Sequence, residues 1–386
     1  IKIRLYLNDQ QQDYFNNLLG TARFVYNHLL AYKIHKYNSE KHSVSFAELG
    51  KELTKLKLEH EWIRNSHSKV LQQSLINLDY AYKSFFKNGN GFPKFKSRKN
   101  SKQSCRFPSD AIASIKGNRI NIIRQLKDIH FKCSVKDEKF LNKNQGFIRS
   151  ATLTKTKYNT CFLTILIDRE NKVLQKPNNE IIAIDLGIKD FIITSQNTSY
   201  ENIKIIRKNQ NKLAKLNRNL SRKQKDSKNK EKDRIKLAKF NAKLSNIKDY
   251  YLHSIVNTLL NENQVIVMEN LNVQGMLKNH NLARSLQELS LNKFKQILIY
   301  KAMWYGRDII EIDRFYPSSK LCSCCGQKNK DLTLQQRTWT CLSCDSVHDR
   351  DFNAATNILN EGKRLQKIGL SSPELTPTES KSLDPR

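Results

Sequence analysis

No apolar run in this chain approaches the length of a membrane span, and no signal-like apolar segment opens it, which points to a soluble intracellular protein. Glycine and proline are scarce, 12 and 7 in 386 residues, while 38% of residues are hydrophobic. The chain is therefore expected to fold, into about two to four domains by length, and not to be a basic disordered tail. Acids are also short: 36 Asp and Glu stand against 68 Lys and Arg, a formal net charge of +32. That excess goes far beyond what solubility requires and calls for a polyanionic partner. There are eight cysteines, and the pattern of four of them fits metal in a reducing compartment better than disulfides.

Cys322 and Cys325 form one C-x2-C pair, and after fifteen intervening residues Cys341 and Cys344 form a second. Tetrahedral Zn2+ needs four soft donors converging on one point, which two knuckles joined by a short hairpin supply. A zinc ribbon holding one structural Zn2+ is expected, with no open coordination position for chemistry. Cys324 would leave a one-residue knuckle if it replaced Cys325, so it reads as a bystander. Cys105, Cys133 and Cys161 stand singly and read as small hydrophobes.

Ile1 to Leu7 alternates apolar and polar residues as a half-buried strand does. Phe15, Leu18, Leu19, Ala22, Val25 and Leu29 recur at helical spacing, as do Leu71, Leu75, Leu78, Tyr82 and Phe85 before the breaker Lys87-Asn-Gly-Asn-Gly. Both stripes read as core. From Phe92 to Phe107 the cations Lys94, Lys96, Arg98, Lys99 and Arg106 interleave with aromatics. Cations neutralise phosphates and ring faces stack on bases, but a solvated loop with its aromatics turned inward fits equally well. Residues 111–168 read as an antiparallel sheet or small barrel, and 169–180 as a polar linker. Lys204 to Lys248 carries seventeen Lys or Arg in two helices around a break at 224–231. There Arg222, Lys223, Lys225, Lys236 and Lys239 are candidates for contacts along a duplex backbone.

Ile181 to Thr194 reads as an apolar strand ending in Asp185, a turn at Gly187 and a second apolar strand. Burying Asp185 beside so much aliphatic surface costs several kcal/mol unless it is paired or metal-bound. Gln264-Val-Ile-Val-Met-Glu269 is again a strand with an acid at its end, followed by one amphipathic helix from about Leu282 to Tyr305 and a strand at 309–312. Asp351 opens a helix whose Ala354, Ala355, Ile358 and Leu359 face a core. Strand-Asp, strand-Glu, helix-Asp is the order of an RNase H-like fold, whose converging acids repel one another unless cations sit among them. Two Mg2+ about 3.5–4 Å apart would relieve this and support phosphodiester hydrolysis.

Here the chain resembles the transposon-encoded TnpB family, relatives of the type V CRISPR effector nucleases. The resemblance rests on Asp185-Leu-Gly, Glu269-Asn-Leu, Cys322-Ser-Cys-Cys-Gly, Cys341-Leu-Ser-Cys and Asp349-Arg-Asp351-Phe-Asn-Ala-Ala, with Ala22-Arg-Phe-Val-Tyr-Asn and Gly91-Phe-Pro-Lys-Phe-Lys-Ser near the start. It implies an α+β multidomain fold. Residues 1–9 and 109–176 would form a wedge-like β-barrel carrying a helical recognition lobe at 10–108. Residues 177–317 and 346–367 would form a RuvC-like nuclease domain with the zinc ribbon inserted at 318–345, and 368–386 a disordered tail. The resemblance further implies an RNA-guided DNA endonuclease of an insertion sequence, one chain per guide RNA encoded at the transposon end. It would act on double- and single-stranded target DNA beside a short adjacent motif, in a prokaryotic cytoplasm near the nucleoid, with no membrane partner. Asp185, Glu269 and Asp351 take the Mg2+ roles, and Asp349 is the runner-up for the third. Asp345 and His348 fall at the surface or behind the ligands.

Three rivals remain. A guided repressor without cleavage would lack one of the acids, and a transposase acting directly on element ends would share an acid triad. A plain zinc-ribbon RNA-binding protein would leave the strand-end acids without purpose.

Overall fold

The computed structural model describes residues 1–99, 103–109, 114–168, 177, 179–276, 278, 280–333 and 335–369. The fold is α+β, in two compact units, Ile1–Arg169 and Glu170–Arg386. Most of the expected 169–180 linker and the tail from 370 onward lie outside the described residues. Among the described residues, no helix is long and apolar enough to cross a membrane.

In the first unit, β1 (Lys2–Tyr6) is followed by α1 (Asp9–Glu40), α2 (Phe46–Glu59), α3 (Glu61–Arg64) and α4 (Ser68–Asn88). Then come β2 (Gln103–Pro108), β3 (Ser114–Lys116), β4 (Arg119–Asn121), β5 (Ile129–Lys132), α5 (Val135–Lys143), β6 (Ile148–Lys155) and β7 (Cys161–Ile167). Asn8 and Ser45 start α1 and α2 with reciprocal capping boxes, and Gly89 ends α4 in the left-handed conformation that glycine tolerates. The strands form one antiparallel sheet in the order β2-β6-β7-β1-β5-β4-β3. β1 alternates exposed and buried residues as its pattern predicts, and Ile3 and Leu5 enter the core with Phe107, Phe131, Leu153 and Leu163. Among the described residues no ladder joins β2 to β3. Helix α1 serves two cores. Phe15, Leu18 and Leu19 pack on the sheet, whereas Val25, Leu29 and Leu30 pack with Leu49, Leu53, Leu71 and Leu75 of α2 and α4.

The second unit contains β8 (Asn179–Leu186), β9 (Asp190–Thr194), β10 (Ser199–Glu201), α6 (Ile205–Lys208), α7 (Gln210–Ser221), α8 (Lys228–Glu262) and β11 (Asn263–Glu269). It continues with α9 (Val273–Met276), α10 (His280–Leu289), α11 (Leu291–Tyr305), β12 (Asp308–Ile312), β13 (Thr338–Thr340), β14 (Val347–Asp349) and α12 (Arg350–Lys367). A mixed sheet runs β10-β9-β8-β11-β12, with β8, β11 and β12 parallel and β8-β9 a hairpin. Ile182, Ile184, Ile266 and Met268 face the cluster built by α8 and α11, while Ala183, Val265 and Val267 face Ile358 of α12. Burial on both faces explains why these strands read as continuous apolar runs. The single helix expected from Leu282 to Tyr305 is two helices, broken at Ser290, whose φ of 57° is left-handed and so cannot continue a right-handed helix.

Candidate active site

Three elements deliver the acids. β8 carries Asp185 and its parallel neighbour β11 carries Glu269, one step past the pair Ile184 and Met268. Asp351 lies in the first turn of α12, which packs across β8, β9 and β11. Burial, then the charges of Glu269 and Asp351, push the Asp185 carboxyl up to about 7, against a smaller opposing pull from Arg350. Burial also raises Glu269, opposed by a hydrogen bond at 2.5 Å in which the Ser318 hydroxyl donates to its Oε1. Asp351 accepts from Arg337 Nη1 at 2.7 Å, and Arg350 Nε lies 4.0 Å from its other oxygen. Glu269 and Asp351 thus lie near enough for their charges to act on Asp185, although among the described residues the three carboxylates do not all come within 4.8 Å of one another. A buried carboxylate raised by two neighbouring acids is a donor whose charge a divalent cation would satisfy.

Two glycines permit this assembly. A Cβ at Gly187 would lie 2.6 Å from the Asp190 carbonyl oxygen, so the turn after Asp185 closes only around glycine. A Cβ at Gly362 would meet both methyls of Val267 at 2.5 Å, which sets how closely α12 approaches β11.

The expectation that Asp351 opens its helix is refined. Asp349 is the N-cap, accepting the backbone N–H groups of Asp351 and Phe352, so its carboxylate is spent on the helix start.

The four sulfurs of Cys322, Cys325, Cys341 and Cys344 lie within 4.8 Å of one another. The pairs Cys322–Cys344 and Cys325–Cys341 are each 3.6 Å apart. Zn–S bonds of about 2.3 Å give a tetrahedral edge of about 3.8 Å, so the donors fit Zn2+. The hairpin β13-β14 joins this module, running on to Asp349, beyond the expected limit at 345. His348 is not at the surface: it is buried against Trp339, with Nε2 3.1 Å from Cys322 Sγ. Cys324 is exposed, though it forms a smaller candidate donor group with Cys322 and His348. Asp345, in a left-handed turn after the second knuckle, is exposed. The buried Asn353 and Asn357 of α12 donate to the Leu321 carbonyl at 2.7 Å, fastening the first knuckle to the helix that bears Asp351.

Ser318, Arg337 and Arg350 were not legible in the sequence. Ser318 sits in a Pro-Ser-Ser turn and Arg337 in the ribbon hairpin, and no local pattern marks either as a neighbour of the acids.

Among the candidate nucleic-acid contacts, Lys94, Arg98, Lys99 and Arg106 are exposed in the first unit. Lys96 is corrected. Its ammonium lies 3.7 Å from the centre of the Tyr26 ring, burial lowers its pKa, and its backbone is bonded both ways to Asn27. It packs the loop onto α1. Of the interleaved aromatics, Phe107 is buried while Phe92 and Phe95 are exposed. In the second unit Arg222, Lys223 and Lys225 are exposed in the turn between α7 and α8, and Lys236 and Lys239 on α8, where Lys236 pairs with Asp233 at 3.2 Å.

Comparison with known proteins places the chain. A family described as "Probable transposase" (OrfB_IS605) matches residues 164–280, and a "Cas12f1-like, TNB domain" matches 292–358. A "Helix-turn-helix domain" of the same transposase group matches 1–42, where the structure has one strand and one uninterrupted helix. A Streptomyces pristinaespiralis protein provisionally named an RNA-guided DNA endonuclease is 32% identical over 95% of this chain and 90% of its own length. InsQ of Escherichia coli K12, provisionally named likewise, is 27% identical over 95% and 93%. A TnpB-like protein of Methanocaldococcus jannaschii is 30% identical over 67% of this chain and 95% of its own. Among solved structures, Cas12f1 in its sgRNA and target-DNA complex shares the fold at a TM-score of 0.59 and 14% identity, over 92% of this chain and 84% of that one. With its acids and cysteines in that order, and with a relative alike over nearly the full length of both chains, this chain belongs to the TnpB family.

Proposed function

We propose that this chain is an RNA-guided DNA endonuclease of an insertion sequence, cutting target DNA at a RuvC-like site beside a short adjacent motif. The observation that carries this reading is the convergence of Asp185, Glu269 and Asp351, with Asp185 raised to about 7 by burial and by the other two. A binder that never cuts gains nothing from burying Asp185 within reach of two further acids. In this reading the mixed sheet from β8 to β12 with α12 is the RNase H-like nuclease domain, and residues 318–345 are its inserted ribbon. Residues 1–9 and 109–176 serve as the wedge and 10–108 as the recognition lobe.

Asp185, Glu269 and Asp351 would hold two Mg2+, which when bound supply activated water and stabilise the leaving oxygen. Ser318 fixes the rotamer of Glu269, and Arg337 and Arg350 balance the charge of Asp351 until cations and a phosphate arrive. One structural Zn2+ on Cys322, Cys325, Cys341 and Cys344 would keep the hairpin carrying Arg337 against the acids. The net charge of +32 suits a heteroduplex read by shape while base pairing supplies sequence, with one chain per guide RNA.

The test is to purify the chain expressed with its element end, sequence the RNA that co-purifies, and incubate the complex with Mg2+ and DNA matching that RNA. Cutting that disappears in Asp185→Ala, with RNA still bound, is the expected outcome. A wild-type complex that binds matched DNA without cutting would establish the repressor reading, and cutting confined to element ends without RNA the transposase reading.

A further inference from the structure

After β12 the chain makes a five-residue turn, Asp313 to Pro317, whose two ends are both fastened to Glu269. Ile312 is the ladder partner of Glu269, and its carbonyl accepts the Asn270 N–H at 3.2 Å. Ser318, on the other side, donates its hydroxyl to the Glu269 carboxylate. The turn is rigid. Phe315 N–H donates to Asp313 Oδ1 at 2.7 Å, Tyr316 N–H to the Asp313 carbonyl at 3.2 Å, and Ser318 N–H to the Tyr316 carbonyl at 2.8 Å. Pro317 fixes its own φ, and Tyr316 turns inward against the cluster of Val265, Val267 and Ile312.

The residue between is held outward. Phe315 is 84% exposed, and the guanidinium carbon of exposed Arg314 lies 5.9 Å from its ring centre. In the same unit Tyr250 is nearly as exposed, at 78%, but it sits on α8 and not in the turn bonded to Glu269. A hydrogen-bonded turn that presents a bare ring between two attachments to the Glu269 segment leaves the apolar surface of that ring for a partner to cover. A ring next to a cation is the pairing that takes a nucleobase on its face and a phosphate at its edge.

We propose that Phe315 is a substrate-positioning residue: its ring stacks on an unpaired base of the strand being cut, and Arg314 takes a neighbouring phosphate. The stack sets which phosphodiester lies over Asp185, Glu269 and Asp351. The proposal rests on the reading of those acids as a nuclease site.

The experiment uses the full chain loaded with its guide RNA and DNA substrates with a single abasic site stepped across the cut region. Single-turnover rates and product ends are compared for wild type, Phe315→Ala and Phe315→Trp. Loss of one base stack predicts about tenfold slower cutting by Phe315→Ala, with scattered product ends, and recovery in Phe315→Trp. One abasic position should slow the wild type by a similar factor and Phe315→Ala no further. Wild-type rate and ends in Phe315→Ala overturn the proposal, as does an abasic scan that affects both proteins alike. A large loss of melting temperature in Phe315→Ala would assign the ring a structural role and also overturn it. A wild-type complex that cuts no matched DNA fails the nuclease reading itself, and is seen before any variant is compared.

Discussion

Asp349 Oδ1 accepts the backbone N–H of Asp351 at 3.0 Å and that of Phe352 at 2.9 Å, so of two acids two residues apart one starts a helix and the other is left for the site. Asp351→Ala is expected to abolish cutting while leaving the melting temperature near wild type. Asp349→Ala should lose about 1 kcal/mol of stability, restored by Asp349→Ser, and keep measurable cutting. Paired melts and cleavage assays check this, and a dead Asp349→Ala beside an active Asp351→Ala would reverse the two roles.

The pH dependence follows from Asp185. Its folded value of about 7 lies above the unfolded value of about 3.9, so between the two the folded metal-free chain holds a proton that the unfolded chain has lost. This group's contribution to stability therefore falls as pH rises from about 4 to about 7. A divalent cation must displace that proton, so the upward melting shift caused by Mg2+ should grow over the same window. Asp185→Asn should flatten both trends in melts run at a series of pH values. An unchanged slope in that variant would place the titration elsewhere.

Purified chain should carry about one zinc, and Cys322→Ser or Cys341→Ser should lose it together with the fold of the ribbon. Cys324→Ser should keep the metal. His348→Phe should keep it too but release it to a chelator about tenfold faster, because the ring no longer supports the Cys322 sulfur. Metal analysis finding no zinc in folded, active wild type would remove the ribbon assignment.

Neutralising Arg222, Lys223, Lys225 and Lys239 together should weaken binding to all guide and target sequences alike. The dependence of log affinity on log salt should flatten, since each lost phosphate contact releases fewer counterions. Lys96→Gln should leave that slope unchanged and lower stability, because its ammonium packs on Tyr26. An unchanged slope in the hairpin variant would make α7 and the start of α8 a merely solvated surface.

Gly362→Ala should cost about 1–3 kcal/mol, since the added methyl collides with Val267 in a packed core. Adding Val267→Ala should recover part of that loss in denaturant melts. No recovery would trace the effect to the helix itself.

What the sequence determined by itself were features whose physics is local: zinc donors two knuckles apart, strands apolar throughout because both faces are covered, an acid at the end of each, and a charge imbalance needing no fold to be read. Tertiary structure decided everything that depends on partners far along the chain. β1 lies mid-sheet between β5 and β7, strands more than a hundred residues away, and no pattern inside residues 2–6 encodes that pairing. Asp349 and Asp351 are the same residue type in one motif, and only the cap geometry of α12 separates them. Ser318 reaches Glu269, Arg337 reaches Asp351 and Lys96 lies over the Tyr26 ring through contacts made only once the elements have packed. Side-chain role here follows from position in space, which local spacing constrains over a few residues and packing decides beyond them.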